Sequence, residues 1–213
     1  MIMKNKLDIE NMDFEKLELI MNATLEMAKK TLPKEELVIF QEFIDFRKMF
    51  SKESDRGSAL MSAAFIDDKL GQLIEHNMVD NKKARESIFD NSGALGTFSG
   101  KINIAYLMGL IPKNINDDIQ LIRKIRNDFA HNASSITFDT NYIASRCYSL
   151  NLHALTKKEG PRAIFGSTVT SILSYINGRL KDSKRPQCEN NYNIDTITDI
   201  IKKSSAPTNG KKV

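Results

Sequence analysis

The sequence predicts an all-α fold, a single multi-helix bundle, on three observations. Apolar residues recur at spacings of three and four along most of the 213-residue chain, no stretch keeps the two-residue alternation of a half-buried strand, and helix start and stop signals divide the chain into segments of helical length. A chain of this size buries one sizeable core. The pattern divides it into a flexible N-terminus over 1–12, a helical domain over 13–181 and a C-terminal tail over 182–213 that is basic at its end.

The first helix is expected over Asp13 to Leu32, with Phe14, Leu17, Ile20, Met21, Thr24, Leu25, Ala28 and Leu32 along one side. Pro33 interrupts it and suits the first turn of a second helix, which places Leu37, Phe40, Phe43, Ile44 and Met49 or Phe50 inward and ends near Ser51. Ser54 or Asp55 then caps a long third helix to about Val79. Gly57, Ser58, Ala59, Ser62, Ala63 and Ala64 are small enough to let neighbours approach closely, which makes this the central helix. A short helix, Lys82 to Phe89, leads into NSGALGTFSG. The glycine spacing there fits neither common phosphate-binding pattern, so a tight connection with Phe98 tucked inward is expected. A helix over Ser99 to Leu110 stops at Gly109 with Pro112 beyond. Ile115, Ile119, Ile122, Ile125 and Phe129 mark the next, with Asp117 and Asp118 placed in its first turn, where acids favour the helix dipole. A helix from about Thr140 and another over Pro161 to Lys181, carrying Ile164, Val169, Ile172, Leu173 and Ile176, complete the domain; a short one at 194–203 falls in the tail.

Charge narrows the function classes. The net charge of +4 comes from Lys202, Lys203, Lys211 and Lys212, so residues 1–201 carry equal numbers of acidic and basic side chains. A body that is neutral overall lacks the concentrated basic excess of a phosphate-binding domain. A helix-turn-helix drawn through AYLMGLIPKNINDDIQLIRKIR would begin its recognition helix with Asp117 and Asp118, which repel phosphate, so direct sequence-specific DNA binding is not expected. Cys147 and Cys188 are far apart and form no CxxC or His–Cys grouping, and neither His76 nor His153 has a partner at ligand spacing; no metal and no cofactor are expected. No apolar run approaches a membrane span of about 20 residues, and the N-terminus is too polar for a signal-peptide core, so the expected location is cytoplasmic.

Two groups of residues carry candidate chemistry. Asp67 falls on the stripe Leu60, Ala63, Ala64, Leu70 and Ile74, where an apolar side chain would be expected. A buried carboxylate needs a partner, and Arg126, Arg123 and Arg56 are the candidates for a structural polar network. The second group is Arg126, Asn127 and His131 within LIRKIRNDFAHN. Asn127 and His131 share a face of a regular helix, whereas Arg126 and His131 point about 140° apart. The arginine and histidine meet only if the helix ends near Phe129 or if a second copy brings its own pair across.

The blocks DRGSALMSAAFIDDKL (55–70), IFDNSGALGTFSGKINIAYLMGLI (88–111) and IQLIRKIRNDFAHNASSITFDT (119–140), in that order, resemble the bacterial mannitol operon repressor family over about residues 50–155. That resemblance implies an all-helical regulator of transcription without an evident DNA-binding motif. The expectation is a non-enzymatic, dimeric interaction module that works through a protein partner or ligand. Arg126 to His131 also resembles the RNxxxH motif of HEPN domains, helical modules that often dimerise and are frequently metal-independent ribonucleases. The alternative it implies is a ribonuclease acting on RNA as a toxin or defence component, with Arg126 stabilising phosphate charge, His131 moving a proton at the ribose 2′-OH and Asn127 orienting the histidine.

Overall fold

In the computed structural model the described residues are 14–132, 135–153, 155–188, 201, 202 and 204, and their ordered elements are helices. They run α1 (Phe14–Thr31), α2 (Lys34–Lys52), α3 (Asp55–His76), α4 (Lys82–Phe89), α5 (Phe98–Leu107), α6 (Lys113–His131), α7 (Asn141–Tyr148) and, after a 3₁₀ turn at Lys157–Glu159, α8 (Gly160–Asp182). The expected flexible N-terminus lies outside the described residues. So does most of the basic tail, where residues 201, 202 and 204 of the described set are helical.

Helix α3 is the hub, packed against α2, α5, α6 and α8. Its small residues explain how it takes so many neighbours: Ser58, Ala59, Ser62 and Ala63 are all buried and let helix axes approach closely. Ser54 starts the helix, its side chain accepting from the Gly57 amide at 3.0 Å. Asp55 therefore belongs to the first turn rather than the cap. The buried face runs through Ala59, Ala63, Ile66, Leu70, Leu73 and Ile74. The expected stripe was rotated from this one, and its members Leu60 and Ala64 are exposed.

The remaining core follows the apolar periodicity. All five isoleucine and phenylalanine positions that marked α6 are buried, as are Ile164, Val169, Ile172, Leu173 and Ile176 of α8. Aromatic rings join the layers where periodicity gave no guide. Phe138, in the α6–α7 connection, lies 5.1 Å from Phe129 and 5.0 Å from Phe165, centroid to centroid, and Phe46 of α2 is fully buried while Met49 is exposed. The glycine-rich connection is structural. A Cβ on Gly93, Gly96 or Gly100 would collide with the carbonyl oxygens of Ile88, Asp90 and Ala94 respectively, so only glycine lets the chain fold back on itself there. Thr97 then caps α5 by accepting from the Gly100 amide, and Phe98 is buried beneath.

Helix α1 packs on α2, and α2 in turn meets α3 and α8. Met21, Leu25 and Ala28 form the buried face of α1, and Lys48 of α2 donates to Asn22 at 2.6 Å. Thr24, expected on that face, is exposed.

Candidate functional site

Helix α6 stays helical through His131. That removes the arrangement in which an early helix end lets Arg126 and His131 converge within one chain, and leaves them about 140° apart around the axis. Arg126 is half-buried, and its Nη1 donates to the Asn127 carbonyl oxygen Oδ1 at 3.0 Å. Among the described residues it has no carboxylate partner. His131 is exposed in the last turn. Just beyond it Asn132 ties the helix end down: its carbonyl accepts from Arg56 Nη2 at 2.8 Å, and its side-chain amide donates to the Tyr142 hydroxyl at 3.3 Å. Asp117 and Asp118 lie in the second turn rather than the first, because α6 begins at Lys113 behind Pro112.

The expected network around Asp67 does not form. Asp67 pairs with Lys101 of α5 at 2.9 Å, Arg123 donates to Gln120, and Arg56 reaches the end of α6 instead. The reason is the phase of α3: with the buried face centred on Ile66 and Leu70, Asp67 sits at the margin with 32% of its side chain exposed. With 32% of the Asp67 side chain and 15% of the Lys101 side chain exposed, water screens the pair in part. Asp67→Ala is therefore expected to cost about 1 to 2 kcal/mol, read from the urea midpoint, where a stranded buried arginine would cost about 3.

The polar side chains that hold the bundle together are others. Arg162, in the first turn of α8, pairs with Asp55, donates to the carbonyls of Phe50 and Glu53 at 2.9 and 2.6 Å and to the Ser58 hydroxyl at 2.9 Å, and stacks over the Phe50 ring at 5.2 Å. Asp55 in turn accepts from the Phe138 amide at 2.9 Å. One guanidinium thus joins the end of α2, the start of α3 and the start of α8, using the planar fork that lysine lacks. Asp118 is the second anchor. It is 1% exposed and accepts from the Asn151 amide at 3.0 Å, the Asn151 side chain at 2.8 Å and the Leu152 amide at 2.9 Å, fastening the segment after α7 to α6. Arg146 of α7 pairs with Asp128 of α6 and lies over the Tyr142 ring. His153 is structural too, its two ring nitrogens 2.9 Å from the carbonyls of Leu155 and Leu150.

One signal in the sequence pointed at Asp118. It lies three residues after Ile115 and four before Ile122, inside the apolar arc of α6, so the test that selected Asp67 selects Asp118 more strongly. Arg162 had no comparable signal, since its partners lie more than 100 residues away in sequence.

Among the described residues no three His, Cys, Asp or Glu side chains are placed to share a metal ion, and no helix is long and apolar enough to cross a membrane. Cys147 is buried on the inner face of α7, and loss of solvation, with a smaller contribution from the negative charge of Asp55, pushes its thiol up to about 12. It stays protonated at neutral pH, whereas Cys188 is exposed. Labelling of the native protein with a maleimide at neutral pH should therefore modify one of the two thiols quickly and the second only on unfolding.

An all-α bundle around a central small-residue helix, braced by internal arginine and aspartate clamps, is the class these features define. The chain belongs to the mannitol repressor family, whose family model matches residues 47–166, from the last turns of α2 into α8. Among solved structures the chain is similar to the mannitol repressor MtlR in the X-ray structure of the MtlR–HPr complex from Escherichia coli. The two are 15% identical with a TM-score of 0.54, over 62% of this chain and 95% of that one. At that identity the likeness is one of fold. No curated protein sequence matches the chain.

Proposed function

We propose that this protein is a non-enzymatic regulator of the mannitol repressor type, a homodimer that acts by binding a protein partner rather than by placing a recognition helix in DNA. The observation that carries the reading is the family match over residues 47–166, read beside a structural neighbour determined in complex with a second protein, HPr. The geometry of α6 supports the second half. Asp117 is exposed near its start, where a carboxylate repels phosphate, and Asp118 is engaged with Asn151 and Leu152. Titration with duplex DNA spanning a mannitol operon control region should show only weak, sequence-indifferent association. A tight complex with one sequence that weakens steeply with salt would overturn the indirect mode of action.

A second reading has a specific observation in its favour. Arg126 is half-buried without a carboxylate partner among the described residues, and Asn127 beside it lies one turn before an exposed His131. In a ribonuclease of the RNxxxH type, Arg126 would stabilise phosphate charge, His131 would transfer the proton and Asn127 would orient it. Because α6 holds Arg126 and His131 on different faces, this reading requires the arginine of one copy to meet the histidine of another. RNA cleavage in the presence of a chelator, abolished in folded Arg126→Ala and His131→Ala variants, would establish it. Absence of cleavage by the unmodified protein would leave the motif to structure and partner binding.

A further inference from the structure

Helices α2 and α8 run antiparallel, and two contacts fix their register. Lys181 donates to Glu36 at 2.9 Å, and the Phe50 ring lies directly on Gly166, where a Cβ would meet it at 2.8 Å. Between these points Phe40, Phe43, Arg47 and Phe50 recur at spacings of three and four, on the side of α2 turned to α8. Arg47 stands one turn before Phe50, and Thr170 stands one turn after Gly166. On antiparallel helices those two steps run the same way in space, so the register places Arg47 and Thr170 opposite one another.

Neither side chain has a partner. Among the described residues every other half-buried arginine donates to an acceptor, as Arg162 and Arg146 do to carboxylates and Arg126 does to Asn127. Arg47 is half-buried and its guanidinium donates to none. Loss of solvation holds that guanidinium below the ordinary arginine range, and no carboxylate offsets the cost. Thr170 Oγ1 is fully buried without a hydrogen bond. Its neighbours Thr168 and Ser171 instead donate to the carbonyls one turn back, Ile164 and Ser167, at 3.0 and 3.1 Å. A buried hydroxyl that leaves its own helix unused, opposite a guanidinium whose fork is empty, marks a place for oxygen atoms from outside the chain.

We propose that the seam between α2 and α8 binds the carboxylate of a small organic acid, its oxygens held by the Arg47 fork and the Thr170 hydroxyl. One guanidinium balances one negative charge, and the neighbours of Arg47 on this face are Phe43 and Phe50, so a monocarboxylate fits better than a phosphate ester. Lys48 does not add to the site, since it lies on the other flank of α2 and donates to Asn22 at 2.6 Å. Bound there, the acid ties α2 to α8 one turn beyond the Phe50 ring over which Arg162 stacks. The site is independent of the protein-partner reading and stands or falls apart from it.

Urea unfolding followed by circular dichroism tests it, at constant ionic strength with sodium benzoate, acetate or phosphate replacing chloride. The proteins compared are the unmodified chain, Arg47→Met and Thr170→Val, the two substitutions keeping most of each side chain's shape. Benzoate and acetate should raise the midpoint of the unmodified chain saturably. The apparent dissociation constant should rise about tenfold or more in Arg47→Met and about fivefold in Thr170→Val, as loss of a charged and of a neutral hydrogen bond requires. In chloride alone Arg47→Met should unfold at no lower urea than the unmodified chain, because nothing in the free protein uses the charge. Three results overturn the site: no saturable shift in the unmodified chain, an equal shift in Arg47→Met, or an Arg47→Met variant already weakened in chloride, which would mean that the guanidinium has a partner within the chain. Phosphate binding more tightly than either carboxylate overturns the choice of ligand.

Discussion

Replacing Arg162 by alanine should lower the stability of the folded chain by about 3 kcal/mol, among the largest losses available from a single polar side chain here. The substitution takes a donor from four groups: the Asp55 carboxylate, which keeps the Phe138 amide, the Phe50 carbonyl and Ser58 hydroxyl, which keep each other, and the Glu53 carbonyl. Both charged partners are partly exposed, at 32% and 23%, so water recovers some of the cost, and the estimate sits at the low end for broken buried pairs. Arg162→Lys should recover less than half of the loss, because one nitrogen replaces the two that divide Asp55 from the Phe50, Glu53 and Ser58 acceptors, and the planar stacking over Phe50 is lost. A urea-unfolding cycle with Asp55→Ala should give a coupling of about 1 to 3 kcal/mol between the two residues. A coupling near zero would mean that the clamp is decorative and that the Phe50, Phe138 and Phe165 packing alone joins α2 to α8.

Asp118→Ala should produce the second large effect, about 2 to 4 kcal/mol. The carboxylate is buried and accepts from two consecutive backbone amides, which no other group described replaces. Its loss should free the segment after α7, so amide hydrogen exchange at Asn151 and Leu152 should rise well before that of α3. Asp118→Asn is expected to be intermediate, since it keeps one acceptor oxygen but turns an amide toward N–H donors. If exchange at Asn151 and Leu152 were unchanged in the alanine variant, the segment would be held by Leu150 and Leu152 packing instead.

The difference between what could and could not be read from the sequence has a physical cause. Helices α3, α4, α6 and α8 were legible because amphipathic spacing and capping residues are local; α4 was expected at Lys82 to Phe89, the range observed. The buried face of α3 was harder, since a helix surrounded by α2, α5, α6 and α8 is apolar over much of its circumference and gives no sharp phase. That ambiguity placed Asp67 in the core and paired it with arginines that lie elsewhere. Long-range clamps were illegible for another reason. Arg162 and Asp55 are separated by 107 residues and occupy ordinary first-turn positions, so nothing local distinguishes them from solvated charges. The candidate chemistry of Arg126, Asn127 and His131 was visible as a motif. What their helix dictates, that the arginine and histidine face different directions, follows from α6 remaining regular to His131.

Binding of the unmodified chain to purified HPr, the protein held by its structural neighbour, followed by isothermal titration calorimetry, is the most direct test of the proposed regulator that works through a protein partner. The account predicts a saturable complex of fixed stoichiometry with a dissociation constant in the micromolar range or tighter, retained in the Arg126→Ala and His131→Ala variants. No heat of binding at high micromolar concentrations of both proteins, together with RNA cleavage that those two substitutions abolish, would contradict it.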